Sequence, residues 1–236
     1  MPTVTEKTVR EIAVENPSSI RVFETLGIDY CCGGKRSLSE ACARANADID
    51  GVLLMLEKAE HDSQVQESGD WKQRQLGELI AHIVKNHHGY VRRETPRIEG
   101  LLSKVVSKHG PDRREIVRIE ELFQAISQEL STHMLKEEQV LFPYIARMEQ
   151  PGPLPAACFG SVKQPIANMV ADHDDAGALL SEIRALSNGF VAPAGACPTF
   201  LALYQGLEEF ERDLHHHVHL ENNVLFPRAV AMEQAR

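Results

Sequence analysis

The stretch His133-Met-Leu-Lys-Glu137-Glu-Gln-Val-Leu-Phe-Pro143 returns 84 residues later as His217-Val-His-Leu-Glu221-Asn-Asn-Val-Leu-Phe-Pro227. Both copies follow the pattern H-x3-E-x2-V-L-F-P. A histidine and a glutamate four residues apart share one helix face, one turn above each other. Both pairs sit in apolar surroundings, where a lone carboxylate or imidazole is costly to bury unless something compensates its charge. Two such pairs in an internal repeat, each with a further histidine upstream, are what a buried two-metal site needs.

The helical rows carry the same message. The second of four long amphipathic segments runs its core stripe through Ile119, Leu122, Ile126, Leu130, His133, Glu137 and Val140. The fourth does so through Phe200, Leu203, Leu207, Phe210, Leu214, His217, Glu221 and Val224, and the third through Ile166, Met169, His173 and Leu180. Steps of three and four throughout mark one apolar face, interrupted by ligand-type side chains. A single histidine on such a face is ordinarily a satisfied core residue. A glutamate is almost never buried unpaired, and here the pair is duplicated. In the first segment two adjacent rows are equally apolar, Leu76-Leu79-Ile83-His87 and Ile80-Val84-His88-Val91-Ile98, and the wheel does not choose between His87 and His88. Pro96 is expected to kink that helix or end its first part, because it removes a backbone donor. In the run His215-His216-His217-Val-His219 only His217 has an acid four residues on; the others are expected at the surface or behind the ligands.

The four segments span roughly 74–108, 113–146, 164–187 and 198–231. They are separated by His109-Gly-Pro, Gln150-Pro-Gly-Pro-Leu-Pro and the stretch from Asn188-Gly to Cys197-Pro. Breaker-rich loops between helical periods predict an all-α fold, an up-down four-helix bundle over 74–233. Residues 1–60 form a separate small helical unit in this scheme. Ser19 to Leu26 is a helix stopped by Gly27, and Ser37-Leu-Ser-Glu40 spells a capping box. The polar stretch 61–71 is the expected linker.

Composition narrows the partners. A net charge of −9, from 34 acids against 25 bases, argues against a nucleic-acid surface. No apolar run is long enough for a membrane helix, and the N-terminal residues lack the apolar core of a secretory signal. Five scattered cysteines without a Cys-x-x-Cys pair suit a reducing compartment, so the cytoplasm is expected.

Structural zinc is closed by four ligands around one ion, and calcium and magnesium prefer oxygen shells. A mixed imidazole–carboxylate pair in a bundle core suits iron or manganese. No histidine has a glutamate three residues before it, which excludes the ferritin spacing and leaves His-x-x-x-Glu.

At this point the chain resembles a hemerythrin-like domain over 74–231. Together with Asp29-Tyr-Cys-Cys-Gly-Gly-Lys35 it resembles the repair-of-iron-centres family of the YtfE/ScdA type. The motifs are the Cys-Cys-Gly-Gly turn, His87-His88 with Pro96 beyond, both H-x3-E copies, and Asp172-His-Asp-Asp-Ala-Gly177. The resemblance implies one histidine ligand from each bundle helix and both motif glutamates: His88, His133, Glu137, His173, His217 and Glu221. It implies two iron ions in an oxo- and carboxylate-bridged di-iron centre. The function implied is repair of iron–sulfur clusters damaged by nitric oxide or oxidants, with damaged iron–sulfur proteins as partners and nitric oxide or oxygen as small ligands. Nitric oxide reductase-type activity and a homodimer are compatible with it; nucleic acid and membrane are not expected partners.

Cys31 and Cys32 carry the other chemistry. Adjacent thiols cannot form a relaxed disulfide within one turn. A glycine-flanked, exposed pair is suited to redox or iron passing, whereas Cys42, Cys158 and Cys197 lack such a context. Two other classes compete with repair, a hemerythrin-like oxygen binder or sensor and a bundle that uses metal only for stability. An oxygen store needs no thiols, and Asp172 and Asp174 beside a ligand favour chemistry over pure structure.

Overall fold

Caps and breakers fix where helices begin and end. The computed structural model describes residues 4–31, 33–62, 71–153 and 159–235. Cys32, Cys158 and most of the expected linker (63–70) lie outside the described residues. Among those described, all regular structure is helical; Thr8 and Ser37 make one isolated antiparallel bridge. The residues group into two compact units, 1–74 with 218–227 and 75–217 with 228–236.

The first unit contains α1 (Val9–Glu15), α2 (Ser19–Leu26), α3 (Leu38–Ala45) and α4 (Ile49–Asp62). Ser37 and Glu40 form the expected capping box, and Thr8 with Glu11 forms a second one. Each satisfies two orphan amides, and an N-cap of this kind stabilises its helix by about 1 kcal/mol. Gly27 ends α2 at φ 65°, a left-handed conformation that costs glycine nothing. Val9, Ile12, Val22, Phe23, Leu38, Cys42 and Leu56 fill the core. The 29–34 turn is held by Asp29, which accepts from the amides of Cys31 at 3.0 Å and Gly33 at 2.8 Å. Gly34 is needed for close approach, since a Cβ there would lie 2.5 Å from the Tyr30 carbonyl oxygen. That carbonyl accepts from Asn223 Nδ2 at 3.1 Å, and Asn223 also meets His219 Nδ1 at 2.8 Å. His219 is buried with its ring edge-on to Tyr30 at 5.5 Å, which leaves the interior as the outcome of the two places expected for it.

The bundle helices belong to the second unit except for residues 218–227 of the fourth, which group with the first unit. The first bundle helix joins α5 (Leu76–His82), a π-helical stretch (Ile83–His88) and α6 (Gly89–His109). The second joins α7 (Arg114–Lys136), a π stretch (Glu137–Leu141) and α8 (Phe142–Met148). The third is α9 (Lys163–Leu186). The fourth runs through α10 (Pro198–His219), a π stretch (Leu220–Leu225) and α11 (Phe226–Gln234). A π turn takes one residue more than an α turn, so the buried row steps sideways wherever one occurs. In the first helix the row runs through Leu76, Leu79 and Ile83, then continues through Val91, Ile98 and Leu102, with His87 and His88 both buried at the step. Both rows seen in the sequence are therefore used, one on each side. In the second helix the same step puts Leu141 in the core and leaves Val140 47% exposed, against the expected stripe. The helix continues through Pro96. One missing donor is outweighed there by the buried residues Val91, Ile98, Leu102 and Val105 along the same helix.

Two glutamates outside the motifs hold the bundle ends. Glu149, after α8, accepts from the first amides of α5, Leu76 at 2.6 Å and Gly77 at 2.8 Å. Glu233, in α11, accepts from Val162 N at 2.8 Å and Ser161 Oγ at 2.6 Å ahead of α9. The two acids are again 84 residues apart, and each places a negative charge at the positive end of a helix. Glu211, only 3% exposed, is compensated by Arg184, whose Nε lies 2.9 and 3.0 Å from the two carboxylate oxygens.

Candidate metal centre

Backbone spacing delivers the side chains. His133 and Glu137 stand one turn apart where α7 passes into its π stretch, and His217 and Glu221 stand likewise around the end of α10. His88 closes the π stretch of the first helix, and His173 lies mid-way along α9. All six are at most 2% exposed.

They assemble into two groups that can hold a metal ion, His88–Glu137–His217–Glu221 and His133–Glu137–His173–Glu221. Within each group the donor atoms lie within 4.8 Å of one another. Both glutamates belong to both groups. His88 Nε2 is 3.2 Å from His217 Nε2, and His133 Nε2 is 3.0 Å from His173 Nε2. Glu137 Oε2 faces both positions, 3.4 Å from His88 Nε2 and 3.3 Å from His133 Nε2. Neither oxygen of Glu137 accepts a hydrogen bond from the protein. The contrast with Glu211 is informative: one buried glutamate has its arginine, the other stands among imidazole nitrogens and the Glu221 carboxylate.

These distances fit a shared cation. Two donors bound to one first-row ion at about 2.1 Å, at close to a right angle, stand about 3.0 Å apart. Two nitrogens and two carboxylates per position, without thiolate, form the mixed donor set that suits iron or manganese.

Behind the inner atoms lie acids of the neighbouring helices. His88 Nδ1 meets Glu138 Oε1 at 2.6 Å, and Arg92 donates to the same oxygen at 2.7 Å. Burial alone would raise the Glu138 carboxyl, but the hydrogen bonds from His88 and Arg92 outweigh it and hold the group below its ordinary value. His133 Nδ1 meets Asp172 Oδ2 at 3.3 Å, with Lys136 at 3.0 Å from that oxygen. Asp172 is likewise lowered on balance, burial opposing and Lys136 and His133 prevailing. Asp174 is exposed. His87 is buried outside the two groups. It bonds Asp213 at 3.0 Å and stacks on His217 at 5.6 Å. Burial, then the neighbouring His87, push His216 down to about 4, so it is neutral near neutral pH. The sequence reading had not picked out Glu138, Arg92 or Asp213; the one signal was that Glu138 directly follows a motif glutamate, as Asp172 directly precedes His173.

Cys31 is 5% exposed, and its thiol donates to Asp29 Oδ1 at 3.4 Å, so it is buried where exposure was expected. The Asp29 clasp folds the turn inward. Cys42 is buried, and Cys197 is half-buried beside His109. Among the described residues no helix is long and apolar enough to cross a membrane.

Comparison with known proteins agrees with this geometry. Residues 79–229 match the hemerythrin HHE cation binding domain, and residues 5–60 match the N-terminal ScdA domain, a domain of unknown function. The chain is 38% identical to the iron–sulfur cluster repair protein YtfE of Pectobacterium atrosepticum, covering 97% of this chain and 98% of that one. It is 39% identical to the YtfE protein of Edwardsiella ictaluri with the same coverage, and 36% identical to that of an Escherichia coli strain over 94% of this chain and 96% of the relative.

Proposed function

The chain belongs to the YtfE family of iron–sulfur cluster repair proteins, with a hemerythrin-type cation-binding bundle, and we propose that it is a cytoplasmic di-iron protein that restores iron–sulfur clusters damaged by nitrosative or oxidative stress. The observation that carries the proposal is the pair of His2Glu2 groups sharing Glu137 and Glu221. His88 and His217 would hold one iron, His133 and His173 the other, with the glutamates common to both. Bound iron supplies redox chemistry and affinity for small diatomic ligands. The chain does the rest. Apolar rows exclude water, Glu137 offers one oxygen to both positions, and Glu138 and Asp172 orient imidazoles through Nδ1. The damaged iron–sulfur protein is the partner, and its rescue proceeds through nitric oxide handling, iron donation or both.

A hemerythrin-like oxygen binder or sensor is the competing reading, since the bundle alone would serve it. The match of residues 5–60 to the ScdA domain favours repair, because an oxygen store has no use for a Cys-Cys turn. The test is made on protein reconstituted with iron without oxygen. Two irons per chain, and recovery of a nitric oxide-damaged iron–sulfur enzyme faster than with ferrous salt alone, are expected. Reversible oxygen uptake without any recovery would replace repair by oxygen binding, and tight retention of a single zinc with no capacity for iron would remove the di-iron centre.

A further inference from the structure

The two metal positions are built from the same donor types, yet their supports differ. In each, one histidine is held through Nδ1 by an acid from the next helix, leaving Nε2 as the nitrogen that faces the interior. The His88–Glu138 contact, at 2.6 Å, is a short charge-assisted hydrogen bond. The His133–Asp172 contact, at 3.3 Å, is beyond the usual range for N–H···O. The Glu138 oxygen also accepts one hydrogen bond from the planar guanidinium of Arg92, at 2.7 Å; the Asp172 oxygen accepts at 3.0 Å from the flexible ammonium of Lys136. Glu138 is also the more buried acid, its side chain 25% exposed against 33% for Asp172. The His88 ring is further fixed by Phe142, stacked at 5.8 Å with 16° between the planes.

From these differences we infer that Glu138 is a positioning residue that makes the His88–His217 position the tighter of the two, leaving the His133–His173 position as the one that fills last and empties first. The inference rests on the two-metal reading above. The physical cause is preorganisation. A ring already fixed in plane and tautomer loses less freedom when it binds an ion, and the carboxylate behind it makes Nε2 a better donor. For a protein that gives up metal, the inequality assigns release to one position while the other keeps the shared carboxylates in place.

The experiment is an anaerobic titration of the metal-free full chain with cobalt(II), following calorimetric heat and the visible absorption of the bound ion. The native chain should fill in two resolved steps. Glu138→Ala should weaken the tighter step by about 10–100-fold and leave the other step in place. Asp172→Ala should weaken the looser step, and by less. Glu138→Gln, whose amide oxygen can still accept from Nδ1, should recover most of the loss and the native absorption of the first ion. If Glu138→Ala does not fold, as judged by far-ultraviolet circular dichroism, Arg92→Gln serves in its place and should weaken the same step more mildly. Native constants in Glu138→Ala, or in Arg92→Gln where it is substituted, would overturn the inference, as would weakening of one and the same step by the Glu138 and Asp172 variants. A native chain that takes up fewer than two ions would instead remove the two-metal reading beneath it.

Discussion

Glu137 is the residue where stability and function pull hardest against each other. It is fully buried, neither oxygen accepts a hydrogen bond from the protein, and it belongs to both donor groups. Without metal such a carboxyl is a cost, because burial strips its hydration without replacing it. Glu137→Leu should therefore raise the stability of the metal-free chain, by about 1–3 kcal/mol, read from the urea midpoint in the presence of a chelator. The same substitution should abolish uptake of both irons, whereas His88→Ala, which removes one nitrogen, should spare one. A metal-free Glu137→Leu chain less stable than native, with iron uptake intact, would make the residue an ordinary core contact. Glu211 is the internal control, a buried acid of the same type already compensated by Arg184.

Among the described residues, three of the four bundle helices pass through a π stretch, and each stretch contains a residue of the donor groups. The widened turn resolves what the wheel left open in the first helix, because it allows His87 and His88 to be buried side by side. It also makes a prediction that a regular helix would reverse. Val140→Lys should change stability by no more than about 0.5 kcal/mol, as for an ordinary surface site. Leu141→Ala, one residue on and 1% exposed, should cost about 2–5 kcal/mol; thermal melts of the two variants decide it, and the opposite order would restore the unbroken stripe. Helix spans, the Ser37–Glu40 cap, the Gly27 stop and five of the six inner side chains were legible in the sequence, because periodicity and capping are local properties. His88 was legible only through the family resemblance. The π stretches were not, since the choice between an i+4 and an i+5 bond is made by packing against neighbours. For the same reason Glu138, Asp213, Glu149 and Glu233 escaped notice: each acts on a different helix from its own.

At the scale of the whole chain, the thiols and the metal groups can be tested apart. We expect Cys31→Ser with Cys32→Ser to keep two irons per chain, because four histidines and two glutamates complete both donor groups without Cys31, but to slow recovery of a damaged iron–sulfur enzyme under reducing conditions. Native recovery rates in the double variant would make the turn purely architectural, in keeping with the burial of Cys31. The repeat, meanwhile, fixes how the positions are shared between the halves of the bundle. His88, His133 and Glu137 come from the first half, His173, His217 and Glu221 from the second, and each position takes one histidine from each half. Glu149 and Glu233 cap the first helix of their own halves. A half can thus close on itself as a helical hairpin, yet it supplies only one nitrogen to either position. Two identical hairpins about a two-fold axis would regenerate both positions from equivalent parts. The ancestor implied by such a duplication is a short chain for which pairing with its twin and becoming able to take up metal were one and the same event.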